Sequence, residues 1–92
     1  MEKTTREVLL ERLTVVRALL AARTKIGATM AIVMDSDTAE AAVTGIAELL
    51  ETTDTAARVV FNTPIRVYQM HPVDLLSIEA NELVVALDHA QD

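Results

Sequence analysis

The sequence predicts one all-α domain that covers residues 1–92. Two glycines and two prolines in 92 residues leave few of the turn signals that a sandwich or barrel needs. Hydrophobic residues make up 51% of the chain but include only one Phe and one Tyr, which indicates an aliphatic core. These residues recur mainly at helical spacing. We therefore expect two longer helices that bracket two or three short ones.

The first predicted helix begins near Thr4 or Thr5, where a cap residue precedes Glu7. Its apolar positions alternate in steps of four and three, which buries one helical face: Leu9, Leu13, Val16 and Leu20. The pattern continues to Met34. Gly27 is a weak point that costs about 1 kcal/mol relative to alanine, or a place where a neighbour packs closely.

Two short helices are predicted in the middle of the chain. Asp37 and Glu40 have capping-box spacing and begin a helix at about 38–51. Thr53 is a plausible cap for the next helix, which ends at the segment Asn62–Thr63–Pro64 because proline disfavours a helical residue before it.

The rest of the chain predicts a short helix or turn at 65–70 and a last helix at about 73–89. Pro72 sits where a first-turn proline belongs, and Asp74 complements the helix dipole. This helix is acidic, with Glu79, Glu82 and Asp88, whereas six of the eight basic residues lie in the first 25 positions. We expect the two long helices to pack antiparallel, with each exposed ion pair adding only about 0–1 kcal/mol.

Composition excludes several classes of function. The formal net charge is −6 without a basic stripe, so nucleic-acid binding is not expected. The absence of cysteine excludes disulfides and thiolate zinc sites. No run reaches 18 apolar residues and no signal-peptide pattern is present, so we expect a cytoplasmic protein that is not a membrane protein.

A longer pattern extends from Glu11 to Tyr68. It contains ERLTVVRALL at 11–20, then Ile26 and AIVM at 31–34, then DTAEAA at 37–42, and finally ARVVFNTPIRVY at 57–68. This order resembles the helical exit gate of the DNA gyrase A and topoisomerase IV A subunits. In that family the pattern runs approximately ERxHVLxGLL, IxxVIxxIR, EEA and QAxAILDMPLRRLT.

The resemblance implies a non-catalytic dimerisation module without cofactor or metal. In the family, two long helices form an antiparallel coiled-coil arm and short helices form a knob that meets its counterpart, so here the arm would be truncated. The implied partners are a second copy of the chain and a type II topoisomerase. The sequence departs from the family pattern at Ala18, Asn62 and Val67, and the likeness weakens after Met70.

A symmetric homodimer is the main functional prediction, because twofold contacts are the commonest oligomers. We expect the short middle helices to form the contact. Its predicted residues are Val59, Val60, Phe61, Ile65 and Tyr68.

Reactive side chains give weaker signals. His71 and His89 belong to no ligand motif and are interpreted as solvated helix ends. Tyr68 is preceded by Val67 where the family's cleavage tyrosine follows an arginine, so a packing role is favoured over a nucleophile. Asp35, Asp37 and Glu40 lack the ligand loop of a calcium site, and we interpret them as capping residues. Core filling is the favoured interpretation of the methionines at 30, 34 and 70 over a binding surface.

Two other functions stay open. A helical adaptor would bind a partner protein or peptide, favoured by exposed Met and Leu on the last helix. A small all-helical enzyme like the chorismate mutases would use Arg12 and Arg23 as carboxylate clamps, but only Arg58 and Arg66 remain as further cations after the first helix and its flank.

Overall fold

The computed structural model describes residues 2–71 and 73–90, and this part of the chain is entirely helical apart from turns and connections. The elements are α1 (Thr5–Thr24), α2 (Ile26–Asp35), α3 (Ala39–Leu50), α4 (Asp54–Asn62), a 3-10 helix (Ile65–Tyr68) and α5 (Leu75–His89). The predicted all-α class and the order of two longer helices around shorter ones are confirmed. Pro72, predicted in the first turn of the last helix, lies outside the described residues.

The predicted long first helix is interrupted at Lys25, which separates α1 from α2. Lys25 has φ −110° and ψ 36°, but its N–H still donates to the carbonyl of Ala21 at 2.9 Å. The side chain of Thr24 donates to the carbonyl of Leu20 at 3.1 Å, a bond from residue i to i−4 that often bends helices. The break lies two residues before Gly27. The interpretation of Gly27 as a place of close packing is wrong, because a Cβ built there would meet no atom within 4 Å.

Threonines and one aspartate cap the helices. Thr4, Thr38 and Thr53 accept hydrogen bonds from the backbone N–H three residues later, at 3.1, 3.0 and 3.1 Å. The predicted caps at Thr4 and Thr53 are confirmed, but the capping box at Asp37 was wrong because Thr38 occupies the extended cap position. The Asp74 carboxylate accepts a hydrogen bond from the backbone N–H of Ser77 and so caps α5. That helix therefore begins two residues later than predicted.

The core lies where α1 packs against α3 and α4. It is built largely from small side chains, and its largest fully buried ones are Val16, Val43 and Ile46. The buried alanines allow the helix axes to come close; they are Ala18, Ala22, Ala42, Ala47, Ala56 and Ala57. Gly45 of α3 faces Ile32 of α2. A Cβ added at Gly45 would lie 2.8 Å from Cγ2 of Ile32, so this glycine lets α2 pack tightly on α3.

On its other side α1 packs antiparallel against α5. Arg12 makes a two-point ion pair with Glu79, at 2.7 and 2.9 Å, and Arg23 makes another with Asp74, at 3.0 and 2.9 Å. These bonds confirm the predicted match of a basic first helix with an acidic last one. Leu87 is the one buried residue of α5, which packs chiefly on α1.

Candidate dimer interface

An apolar groove runs between α2 on one side and α4 with the 3-10 helix on the other. Its volume is about 210 Å³. Ile26, Met30 and Val33 line it from α2, while Phe61 and Ile65 line it from the opposite wall. Its polar lining is limited to Thr29, Thr63 and the Tyr68 hydroxyl, which favours an apolar occupant.

Four of the five predicted interface residues lie around this groove. Phe61 and Tyr68 are half-buried against the core, and Ile65 is 62% exposed at the rim. Val60 is only 4% exposed, so its side chain belongs to the core of the single chain and not to its surface. Val59 lies apart from the others, in a shallow depression with Thr55 and Asn62.

Tyr68 fastens the 3-10 helix to α4. Its hydroxyl donates to the carbonyl of Val60 at 3.0 Å, and burial raises the pKa of the phenol above its usual value. A phenol held protonated and bonded to a backbone carbonyl is a packing residue that positions the groove wall.

The sequence interpretation missed the part of the surface that α2 contributes. Core filling was the favoured interpretation of the methionines, and it was wrong: Met30 is 36%, Met34 78% and Met70 70% exposed. The signal was present in the sequence. From Ile26 to Met34 the only polar residue is Thr29, and a helix that is apolar all round is normally covered on every side.

Several of the charged side chains are paired with one another. Arg12 pairs with Glu79 of α5 and Arg23 with Asp74, the residue that caps α5. In this conformation neither presents a free guanidinium as the mutase-like interpretation requires. Glu40 accepts from Arg58 at 3.0 Å, which lowers the pKa of that carboxyl. In the described part of the chain no cluster of three or more His, Cys, Asp or Glu side chains could hold a metal ion.

Over the described residues, every helix is too short or too polar to cross a membrane. Comparison with protein-family models, with curated proteins and with solved structures found no significant match to this chain.

Proposed function

We propose that this chain is a non-catalytic homodimerisation module whose contact includes the groove between α2, α4 and the 3-10 helix. One observation carries the proposal: the chain exposes 6231 Å² of surface. A folded monomer of this mass is expected to expose about 5,200 Å². The surplus of roughly 1,000 Å² is close to the ~800 Å² that each partner buries in a standard interface.

The shape of the molecule supports the same proposal. Its dimensions are 44 × 38 × 18 Å, and its radius of gyration is 14.2 Å. A compact domain of this length has a radius of gyration of about 12 Å. A thin molecule of this kind has too few interior positions for its apolar residues, and a second layer of helices would cover them.

Ile65 provides the most direct test of the contact. It is 62% exposed beside the groove, and covering a side chain of this size contributes about 1–2 kcal/mol. We expect light scattering at micromolar concentrations to give twice the monomer mass of 10.0 kDa for the native chain. Ile65→Asp should shift the protein towards monomer because a charge would be placed in the contact.

A matched control is available on α5, where Val85 is 56% exposed and far along the chain from the groove. Val85→Asp should leave the mass unchanged. A native chain that stays a 10.0 kDa monomer up to high micromolar concentrations would refute the homodimer.

The proposal includes a type II topoisomerase as a second partner and a cytoplasmic location. The residue pattern from Glu11 to Tyr68, which resembles the exit gate of those enzymes, supports this partner. Adding the purified chain to gyrase should change supercoiling activity in a concentration-dependent way. An unchanged rate, together with no binding in sedimentation, would remove the topoisomerase while leaving the dimer. Cell fractionation tests the location.

A helical adaptor is the second candidate function, and an exposed face of α5 favours it. Leu75, Ile78 and Val85 are 72%, 44% and 56% exposed and follow spacings of three and seven residues, which places them along one side of the helix. Such a face suits an amphipathic helix of another protein. If the adaptor is correct, Val85→Asp should abolish binding of that partner while leaving the native oligomeric state intact.

A further inference from the structure

Helix α2 has the composition of a buried helix but lies at the surface. Between Ile26 and Met34 it carries no charged residue, and its one hydroxyl, that of Thr29, is buried and donates to the carbonyl of Lys25 at 2.9 Å. One face of α2 packs on α3 through Ile32, and the opposite side has no neighbour of comparable size within the described chain.

Four residues form this uncovered side, which we call the outer face of α2: Gly27, Met30, Ala31 and Met34. They follow the spacing i, i+3, i+4 and i+7, so they lie on one side of the helix. Met34 is 78% exposed, and a Cβ built on Gly27 would meet no atom within 4 Å. The outer face therefore consists of two long flexible side chains beside two residues that leave room.

We infer that the outer face of α2 binds the same face of a second copy of this chain, with the two helices antiparallel. This inference rests on the proposed homodimer and specifies its central contact. The surplus surface matches what a second copy would cover. Two molecules of net charge −6 repel each other, so they approach best where no charge lies, and the outer face carries none.

The sizes of the side chains favour the antiparallel arrangement. Gly27 and Met34 lie seven residues apart, about 10 Å along the helix. An antiparallel twofold contact places Met34 of each copy over Gly27 of the other, so that a long side chain fills each recess. Met30 and Ala31 then lie beside the symmetry axis and meet their own counterparts.

A parallel contact would fit poorly. It would place Met34 against Met34 at one end of the helices and leave two copies of Gly27 facing each other at the other end. Crowding at one end and an empty space at the other both cost packing free energy. The antiparallel arrangement avoids both, and the flexible thioether side chains of methionine suit an exchangeable contact of this kind.

Disulfide cross-linking tests the arrangement cleanly because the chain has no cysteine. A disulfide requires Cα atoms within about 7 Å. Met30→Cys should cross-link to its counterpart under mild oxidation, since residue 30 lies beside the axis. Met34→Cys should not, since its counterpart lies about 10 Å further along the helix. Val85→Cys, on α5, is the control for random collisions and should give no dimer.

Gly27→Gln separates loss of binding from loss of folding. Gln is a better helix former than glycine, and the space at residue 27 is open in the single chain, so the variant should be at least as stable as the native monomer. The added side chain would nevertheless occupy the recess for Met34. We expect the dimer dissociation constant to rise at least about tenfold, a change that sedimentation can measure.

The outcomes distinguish this inference from the proposed function. Cross-linking through residue 34 in preference to residue 30 would overturn the antiparallel contact. A dimer that is unaffected by Gly27→Gln and Met34→Glu but is lost in Ile65→Asp would overturn the role of α2 and leave the homodimer standing. A native chain that is monomeric at all concentrations would overturn both. Cross-linking at residue 30 alone, with a weakened Gly27→Gln dimer, is the expected result.

Discussion

The helices on the two sides of α1 are similarly rich in apolar residues, but these residues are buried to very different extents. On the closed side, where α3 and α4 pack, Val43, Ile46, Ala57 and Val60 are at most 4% exposed. On the open side α5 carries as many large aliphatic residues, yet Leu75 and Val85 are 72% and 56% exposed. The difference shows that hydrophobicity alone does not bury a residue. The closed side has several helices around it, whereas α5 has one principal neighbour.

The largest expected effect comes from truncating an isoleucine on each side. Ile46 is fully buried, so Ile46→Ala removes packed methyl groups and leaves a cavity, at a cost of about 2–5 kcal/mol. Ile78 is 44% exposed on α5, and Ile78→Ala should cost less than about 1 kcal/mol. Urea unfolding of both variants, at a concentration where the protein is monomeric, measures the contrast. Equal losses would mean that α5 is covered as completely as α3.

An intermediate effect is expected at the two glycines, which lie at the inner contact and on the outer face of α2. At Gly45 an added methyl group would collide with Cγ2 of Ile32, a branch methyl that cannot swing away, so Gly45→Ala should destabilise the fold by about 1–3 kcal/mol. At Gly27 the space is open, and Gly27→Ala should stabilise the monomer by about 0.5–1 kcal/mol.

Thermal unfolding of dilute samples gives the sign of each change. Ile32→Ala provides the control, because it removes the obstructing methyl group: the cost of Gly45→Ala should be smaller in that background. If Gly45→Ala and Gly27→Ala shift the midpoint of thermal unfolding in the same direction, the close packing of α2 on α3 does not determine how the fold responds to an added methyl group.

The sequence predicted the closed side better than the open one. Apolar spacing and the capping threonine Thr53 located the short helices, because local hydrogen bonds and one buried face are encoded within a few residues. The break at Lys25 was missed because neither a glycine nor a proline stands there. The exposure of Met34 was also missed, since the periodicity of a helix does not say how many neighbours surround it. For the same reason Val60 was assigned to a surface although it fills the core.

The smallest expected effect concerns the ion pairs that hold the open side together. Hydrogen bonds from Arg23 and Ser77 hold the pKa of Asp74 far below its usual value of 3.8, and Arg12 lowers that of Glu79. Both carboxylates therefore bind protons less readily in the folded protein than in the unfolded chain. Their contribution to stability is fully present above the usual carboxyl range and is lost as the pH falls below it, towards the lowered native pKa values.

Asp74→Asn removes the charge but keeps a good helix-capping residue, so the attraction to Arg23 and to the helix dipole is lost. The variant should unfold at a lower temperature than the native chain at pH 7. This difference in unfolding temperature should shrink as the pH falls below about 4, because Asp74 of the unfolded native chain then takes up a proton while the folded protein holds the carboxylate charged. Added salt should reduce the difference in unfolding temperature at pH 7, because it screens the partly exposed ion pair of Arg23 and Asp74. If the difference in unfolding temperature between variant and native chain is constant from pH 7 to pH 2, the effect comes from packing of the side chain. The charge of Asp74 would then not stabilise the open side.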